Sequence, residues 1–306
     1  MIRNLGPSGE RFLVDLARIQ AAAERAQREI SSGLKVTAPS DAADQVSDIL
    51  QIRAALERNT QIGANLTRVK SEVDTAERAL ETGEQILDRV RVLGAQGVSS
   101  TVTPENRRII AGEVQGLLEQ LVALSRTSVE GRYIFSGDAD QSPPYDVNLG
   151  NANGVARLVT ALASRQIEHP NGSTFAVAKT AQEMFDRRNP DDSLATDNVF
   201  AAVNGLRTAL ENNDQAGIET SLMALRQAAD HLGIQHSYYG NVQRKIDGAV
   251  SFSNKLELQL KTELSSKRDA DLVSSIIELQ RTRTHEEAAL LARANLPTTS
   301  LFDFLG

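Results

Sequence analysis

The chain has 306 residues, a net charge of −7 and no cysteine, so disulfides, thiolate catalysis and cysteine-ligated metals are excluded. The acidic balance argues against nucleic acid, whose binders carry a basic excess, and no run of about eighteen apolar residues is present to insert into a membrane. With no tryptophan, four tyrosines and eight phenylalanines, Ala, Leu, Ile and Val must fill the core, as in thin helical bundles and coiled coils.

At the N-terminal end, Met1 to Arg18 hold no unbroken apolar stretch and no small-residue cleavage site, so no Sec signal peptide is expected. Phe12, Leu16, Ile19, Ala23, Ala26 and Ile30 recur in steps of four and three, the spacing of one helix face. That helix should stop at Ser31-Ser32-Gly33, with Gly33 as its C-terminal cap. Gly6, Pro7 and Gly9 are expected to stay outside its start. After a loop with Pro39, Ser40 or Asp41 is the expected N-cap of the longest helix, Ala42 to about Leu93. There Ile62, Leu66, Val69, Val73, Ala76, Leu80, Gly83, Leu87, Val90 and Gly94 follow the same alternation, which gives a helix of roughly 80 Å at 1.5 Å per residue. Thr103-Pro104 supplies a capping hydroxyl and a first-turn proline. The stripe Ile110, Val114, Leu117, Leu121, Leu124, Ser128 carries the next helix to about Val129.

From Gly131 to about Asn198 the pattern changes. Gly150 to Gly154 reads as a loop. Arg165 to Glu168 and Thr174 to Ala178 read as short strands joined by a turn at Asn171-Gly172. Six of the twelve aromatic residues lie between Tyr133 and Phe200, so this stretch is expected to be a compact β-containing insertion with a small core of its own. Helices resume with Phe200, Val203, Leu206 and Leu210, broken by Asn212-Asn213-Asp214. Leu222, Leu225, Ala229 and Leu232 follow, and then Val242, Ile246, Ala249, Ser253, Leu256 and Leu260. The last pattern, Val273, Ile276, Leu279 and Leu290, should end at Pro297. The expected layout is a terminal helix over 1–40, helices over 41–137, the insertion over 138–198, helices over 199–266 and a second terminal helix over 267–306.

Sites of chemistry are not assembled by this sequence. His231 and His236 are five residues apart, which does not place them on one helix face, and His169 and His285 stand alone, so neither metal nor cofactor is expected. Gly150 to Gly154 lacks the Lys-Ser/Thr of a phosphate cradle. Carboxylates sit beside Arg and Lys on helix faces, as at Glu24 and Arg28, the pattern of a solvated surface. No strand precedes Ser31-Ser32-Gly33 to make a nucleophile elbow. A structural, non-enzymatic chain is expected. Its outermost helices, Phe12–Ile30 and Val273–Leu290, are Ala- and Ser-rich, marginal alone in water, and are candidates for folding on assembly.

Several segments carry a family likeness. Ile30-Ser-Ser-Gly-Leu-Lys-Val36 with Ala38-Pro-Ser-Asp-Ala-Ala43 resembles the N-terminal segment of bacterial flagellins and hook–filament junction proteins. Arg89 to Ser99 and Asn106 to Leu124 resemble the next helices of that family. Gly131-Arg-Tyr-Ile-Phe-Ser-Gly137 with Pro144-Tyr145, Thr180-Ala-Gln-Glu-Met-Phe185 and Ser300-Leu-Phe-Asp-Phe-Leu305 resemble the junction-protein version, and Asp269-Ala-Asp271 also fits. The chain departs from the pattern at Ala42, where the family often has an acidic residue, in its Gly6-Pro7 opening and in an extra Gly306.

The resemblance implies a mainly α fold: an elongated flagellin-like helical rod with long coiled-coil-type helices and a small β-containing inserted domain facing outward. It implies a structural subunit that is secreted, largely unfolded, through flagellar type III export without a cleaved signal. The subunit would polymerise with itself as a ring or tube layer at the hook–filament junction of the bacterial flagellum. Further partners implied are another hook-associated protein, flagellin and a flagellar export chaperone on the C-terminal helix. Nucleic acid and membrane insertion are not implied. The assembly residues expected are Phe12, Leu16, Ile19, Ala23 and Ile30 at one end. At the other they are Val273, Ile276, Leu279, Leu290, Leu301, Phe302 and Phe304. The rival readings are a flagellin, the main filament subunit, and a non-polymerising helical scaffold or signalling protein.

Overall fold

The heptad stripes become long helices in the computed structural model, which describes residues 7–295. In chain order the elements are α1 (Pro7–Ser32), a 3-10 turn (Pro39–Asp41), α2 (Val46–Val98) and α3 (Pro104–Ser125). The strands β1 (Ser128–Val129), β2 (Arg132–Tyr133), β3 (Tyr145–Val147), β4 (Val155–Arg157), β5 (Gln166–Glu168) and β6 (Thr174–Ala176) follow. The chain continues through α4 (Ala181–Met184), α5 (Val199–Glu211), α6 (Gln215–Arg268) and α7 (Leu272–Ala294). Two compact units result, Met1–Arg58 with Leu256–Gly306, and Asn59–Lys255.

Several boundaries differ from the sequence expectation, each for a local reason. Pro7 and Gly9 lie inside α1, because proline's missing N–H costs nothing in a first turn. Asp41 does not cap α2. Its carboxylate accepts from Thr37 N (2.9 Å), Thr37 Oγ1 (2.8 Å) and Ala38 N (2.7 Å), closing the preceding loop, and α2 starts only at Val46. These bonds, led by that from Ala38, hold the Asp41 carboxyl below its ordinary pKa. At its other end α2 runs past Leu93 to Val98. α3 stops at Ser125 rather than near Val129, since Ser128 and Val129 pair with Tyr133 and Arg132. Glu130 and Gly131 both take positive φ (52° and 77°), the backbone of a two-residue hairpin turn. The start of α3 is as expected: Thr103 Oγ1 accepts from Asn106 N at 3.2 Å.

Unit 59–255 holds the main core. Leu66, Leu80, Leu87 and Val90 of α2, Leu118 and Leu121 of α3, Val203 and Leu206 of α5, and Leu225, Leu232 and Ile246 of α6 are fully buried in one cluster. α2 and α6 are antiparallel here: Asn59 Nδ2 donates to Ser253 O (3.0 Å) and Gln243 Nε2 to Asp74 Oδ1 (3.0 Å). The aromatic residues do not form a separate core. Phe135 and Phe185 meet edge to face at 6.1 Å, Phe185 stacks on Phe200 at 5.7 Å, and Phe135 meets Tyr239 of α6 at 6.4 Å. All four belong to the same cluster as the helix leucines. The strands form three antiparallel pairs: the anticipated β5–β6 hairpin, with Gly172 at φ +89°, the β1–β2 hairpin, and β3–β4.

A buried carboxylate organises the loop between β3 and β4. Asp186 is fully buried and accepts from Asn153 Nδ2 (2.9 Å), Asn198 Nδ2 (2.8 Å), Tyr145 Oη (3.1 Å) and Arg188 Nε (2.9 Å). Burial, reinforced by this carboxylate, pushes the Tyr145 hydroxyl pKa far up. The lone pairs of Asp186 are thereby spent on orientation.

The glycines near the end of α2 permit close approach instead of breaking the helix. A Cβ at Gly94 would lie 2.7 Å from Leu222 Cδ2 and 3.1 Å from Leu206 Cδ2, whereas one at Gly112 would meet nothing within 4 Å. Buried Arg107 then ties off the helix, donating through Nε to Gly97 O (2.8 Å) and through Nη2 to Ser99 O (3.2 Å). We predict that Gly94→Val destabilises this unit by about 1–3 kcal/mol through overpacking, read from the urea midpoint. Gly112→Ala should raise the midpoint, by up to about 1 kcal/mol of helix propensity.

Candidate assembly interface

In the unit formed by the chain ends, α1 and α7 pack as an antiparallel pair. α1 stops because Gly33 takes φ +69° and its N–H donates to Glu29 O at 2.8 Å. The two serines before it turn their hydroxyls back to Arg28 O, at 3.0 and 2.7 Å, which satisfies a carbonyl at the helix end. The Ser-Ser-Gly motif is therefore a built stop. Directly after it the chain pairs with the end of α6. Lys35 N donates to Arg268 O (2.8 Å), Ala270 N donates to Gly33 O (2.9 Å), and Leu34 and Asp269 form an antiparallel bridge. A small cluster of Ile49, Ile52 and Leu264, with Val36 and Leu260 against it, lies beside this crossing.

α7 begins at Asp271, whose carboxylate accepts from Val273 N (3.0 Å), Ser274 N (3.2 Å) and Ser274 Oγ (2.8 Å). The bonds from Ser274 lead in holding its pKa below the ordinary value, and a carboxylate at a helix N-terminus also suits the helix dipole. Asp269-Ala-Asp271 thus serves two helices: its first residue bridges to Leu34 and its last caps α7.

Three side-chain contacts fix how α1 and α7 align. Ser275 Oγ donates to Glu29 Oε2 (2.7 Å), Gln20 Nε2 donates to Glu286 Oε1 (2.8 Å), and the Arg293 guanidinium sits 5.7 Å from the centre of the Phe12 ring. Phe12, Leu16, Ile19, Ala23 and Ile30 are half-buried and Ala26 is buried, so the predicted stripe of α1 is a real face. The predicted stripe of α7 is not. Its sheltered residues are Ser275, Leu279, Thr282, Glu286 and Ala289, in steps of four and three, with Ser275 and Thr282 buried. Leu279 is among them. Val273, Ile276 and Leu290 are exposed, and the structure does not bring them together with α1. The two steps of three from Val273 to Leu279 each turn by about 60°, so those residues cannot share one face. Leu301, Phe302 and Phe304, like the expected stop at Pro297, lie outside the described residues.

The face of α7 turned to α1 is thus built of small and polar side chains around Leu279, and six large apolar side chains lie outside it. Outside lie Leu272, Val273, Ile276, Ile277, Leu290 and Leu291, of which Ile276 is 45 % and Val273 68 % exposed. On α1, Leu13 and Val14 are exposed as well. Sequence reading went to the strongest apolar side chains and so missed the small and polar ones that make the contact. The heptad of Ser275, Thr282 and Ala289 was the available signal.

The sequence signature described as the bacterial flagellin N-terminal helical region matches residues 12–140. The flagellar hook-associated protein 3 of Salmonella typhimurium is 22% identical over 310 residues, covering 96% of each chain. The chain is thus similar to flagellar hook-associated proteins along nearly its whole length. A flagellin of Halalkalibacterium halodurans is 21% identical, covering 92% of this chain and 91% of its own. The fold is that of a solved putative flagellar hook-associated protein from Vibrio parahaemolyticus. Their TM-score is 0.62 at 17% identity, over 74% of this chain and 99% of that one. Among the described residues no group of histidine and carboxylate side chains could hold a metal ion, and no helix is long and apolar enough to cross a membrane.

The family motifs have physical roles here. Phe135 of Tyr-Ile-Phe-Ser-Gly is fully buried, and Gly137, at φ +60°, leaves room where a Cβ would stand 2.5 Å from Ala163 O. Thr180 and Glu183 of Thr-Ala-Gln-Glu form a reciprocal capping box: Glu183 N donates to Thr180 Oγ1 (3.2 Å) and Thr180 N to Glu183 Oε2 (2.8 Å). The packing predicts a gradient of protection. Amides of α1 and α7 should exchange with deuterium well before those of Ile62–Val90, which lie in the large core, as mass-spectrometric exchange of the isolated chain would show.

Proposed function

We propose that this chain is a non-enzymatic structural subunit of the bacterial flagellum, a hook-associated protein 3 that joins hook to filament. It polymerises with itself through α1 and α7, and meets flagellin and a second hook-associated protein at the two ends of its layer. Residues 1–40 and 267–306 are the polymerising ends, and residues 138–198 face outward. The carrying observation is the set of uncovered apolar side chains on α7, which packs Ser275, Leu279, Thr282, Glu286 and Ala289 against α1 and leaves Leu272, Val273, Ile276, Ile277, Leu290 and Leu291 exposed. Burying a side chain of that size is worth about 1.5–3 kcal/mol, so a second copy that covers the stripe gains what the α1–α7 pair does not. Before assembly the same stripe needs a soluble cover, which is the role assigned to an export chaperone.

The second reading, a flagellin, has support in the N-terminal signature and in the 21% identity to a flagellin over nearly the whole chain. Abundance separates the two. Quantitative mass spectrometry of sheared, purified flagella should find this chain as a trace beside one dominant subunit. A dominant share would make it the filament subunit, and its absence would end the flagellar assignment.

The stripe itself is tested by substitution. Val273→Asp and Ile276→Asp should abolish incorporation into flagella while the circular dichroism of the isolated chain stays unchanged, because neither side chain faces α1. Leu279→Asp should do both, loosening the α1–α7 pair and blocking incorporation. Normal incorporation of the Val273 and Ile276 variants would mean that this face is not the polymer contact.

A further inference from the structure

His236 of α6 is held by two carboxylates of α2. Its Nδ1 lies 3.1 Å from Glu84 Oε2 and its Nε2 3.2 Å from Glu77 Oε1. Glu77 and Glu84 are two helical turns apart, and the ring spans the interval. A neutral imidazole carries one N–H and one lone pair, so in either tautomer one nitrogen would face a carboxylate oxygen with no proton between them. Only the imidazolium donates at both ends. A protonated carboxyl is a poor substitute, because imidazole, with an ordinary pKa of about 6.5, takes the proton before a glutamate at about 4.3.

The surroundings fit a group that titrates in place. Glu81 of α2 is exposed to solvent. On the side of α6, Asp230 and Tyr238 line the same open cleft as His236 and Glu84, and no lysine or arginine lines it. The Tyr238 hydroxyl is turned away and donates to Ala176 O at 3.2 Å. Partial burial pulls the His236 pKa down. The hydrogen bond to Glu77, the charge of Glu84 and the bond to it outweigh that, and the net value lies above the ordinary one. The other α2–α6 polar contacts described above, Asn59 with Ser253 and Asp74 with Gln243, and the Lys70–Asp247 ion pair contain no histidine. His231, one turn away, is engaged elsewhere, its Nε2 2.9 Å from Glu183 O. Next to His236 the helices are close, since a Cβ at Gly83 would stand 3.2 Å from Leu232 Cδ2.

We propose that His236 is a proton-operated clamp between α2 and α6: charged, it ties the helices through both Glu77 and Glu84, and neutral, it releases one of the two and loosens that stretch. Because the folded-state pKa is raised, the stabilisation is complete below the ordinary histidine value and is lost as pH rises through the higher folded value. The clamp is independent of the assembly role.

The test uses the full chain. Its histidine ring resonances are titrated by NMR, with His236 assigned by its loss in His236→Gln. The urea midpoint is followed from pH 5.5 to 9 in the wild type, in His236→Gln and in the Glu77→Gln/Glu84→Gln pair. His236 should titrate above about 6.5 and fall back toward or below it in the glutamine pair. The wild-type midpoint should drop across this range more than that of His236→Gln. Equal drops in the two, or a His236 titration at or below the ordinary value, would overturn the clamp. Should His236→Gln fail to fold, single Glu77→Gln and Glu84→Gln variants decide: each must lower the titration, and an unmoved one refutes the proposal.

Discussion

A helix packed against a single neighbour hides one stripe, and its remaining surface meets whatever else is present. That geometric limit shapes the terminal pair. α1 offers α7 a face of Phe12, Leu16, Ile19, Ala23, Ala26 and Ile30, while α7 answers with Ser275, Leu279, Thr282, Glu286 and Ala289. Small and hydroxyl-bearing residues allow close approach, and the bonds from Ser275 to Glu29 and from Gln20 to Glu286 set alignment more than they add stability. Single polar contacts, part-buried at Ser275 and exposed at Gln20, add only about 0.5–1.5 kcal/mol each. The pair is held in a defined register, with its larger apolar side chains left uncovered. A monomer optimised for its own stability would have the reverse arrangement.

Unit 59–255 is built on the opposite principle. Its leucines and aromatic rings are fully enclosed in one cluster, its glycines sit where helices nearly touch, and its buried polar groups are matched. Asp186 shows the last point. A buried carboxylate is costly unless donors surround it, and four of them do, drawn from the β3–β4 loop, the start of α5, β3 and Arg188. Removing any one would leave a charge underpaid for its desolvation, so the network specifies a single loop conformation. The three short hairpins could not stand alone in water. They persist because Phe135 just after β2, Tyr145 and Val155 of β3–β4, and Ile167 of β5 reach into the helix core.

The helices were legible because period 3.6 is written locally. Each stripe from Ile62 to Val90 and from Phe200 to Leu210 became a buried face, and the stop at Gly33 and the start at Thr103 were visible in two or three residues. Elements fixed by tertiary contact were not. Gly94 reads as one more member of the α2 stripe, and only Leu222 and Leu206 against it show why the position carries no Cβ. Asp41 reads as a helix cap until its carboxylate is found closing the loop behind it. The Glu130-Gly131 turn, which ends the stripe running from Ile110, depends on a non-glycine residue accepting positive φ. The aromatic residues of the middle segment looked like a private core because sequence shows where they cluster along the chain, and not that Tyr239, some forty residues beyond Phe200, completes their contacts.

The terminal stripe failed for a more instructive reason. Hydrophobicity identifies residues that need cover, but it does not say whose. In a protein that is finished as a monomer the two questions have one answer, so the strongest apolar residues mark the internal face. Under the proposed polymer contact the cover belongs to another molecule, the answers separate, and the internal face falls to whatever remains, here Ser275, Thr282 and Glu286. His236 follows the same logic in charge. Beside His231 in sequence it reads as one of two idle histidines, and only the pairing of α2 with α6 places it between carboxylates that require its proton. In both cases the property lies in the partner helix, and a single strand of sequence cannot display it.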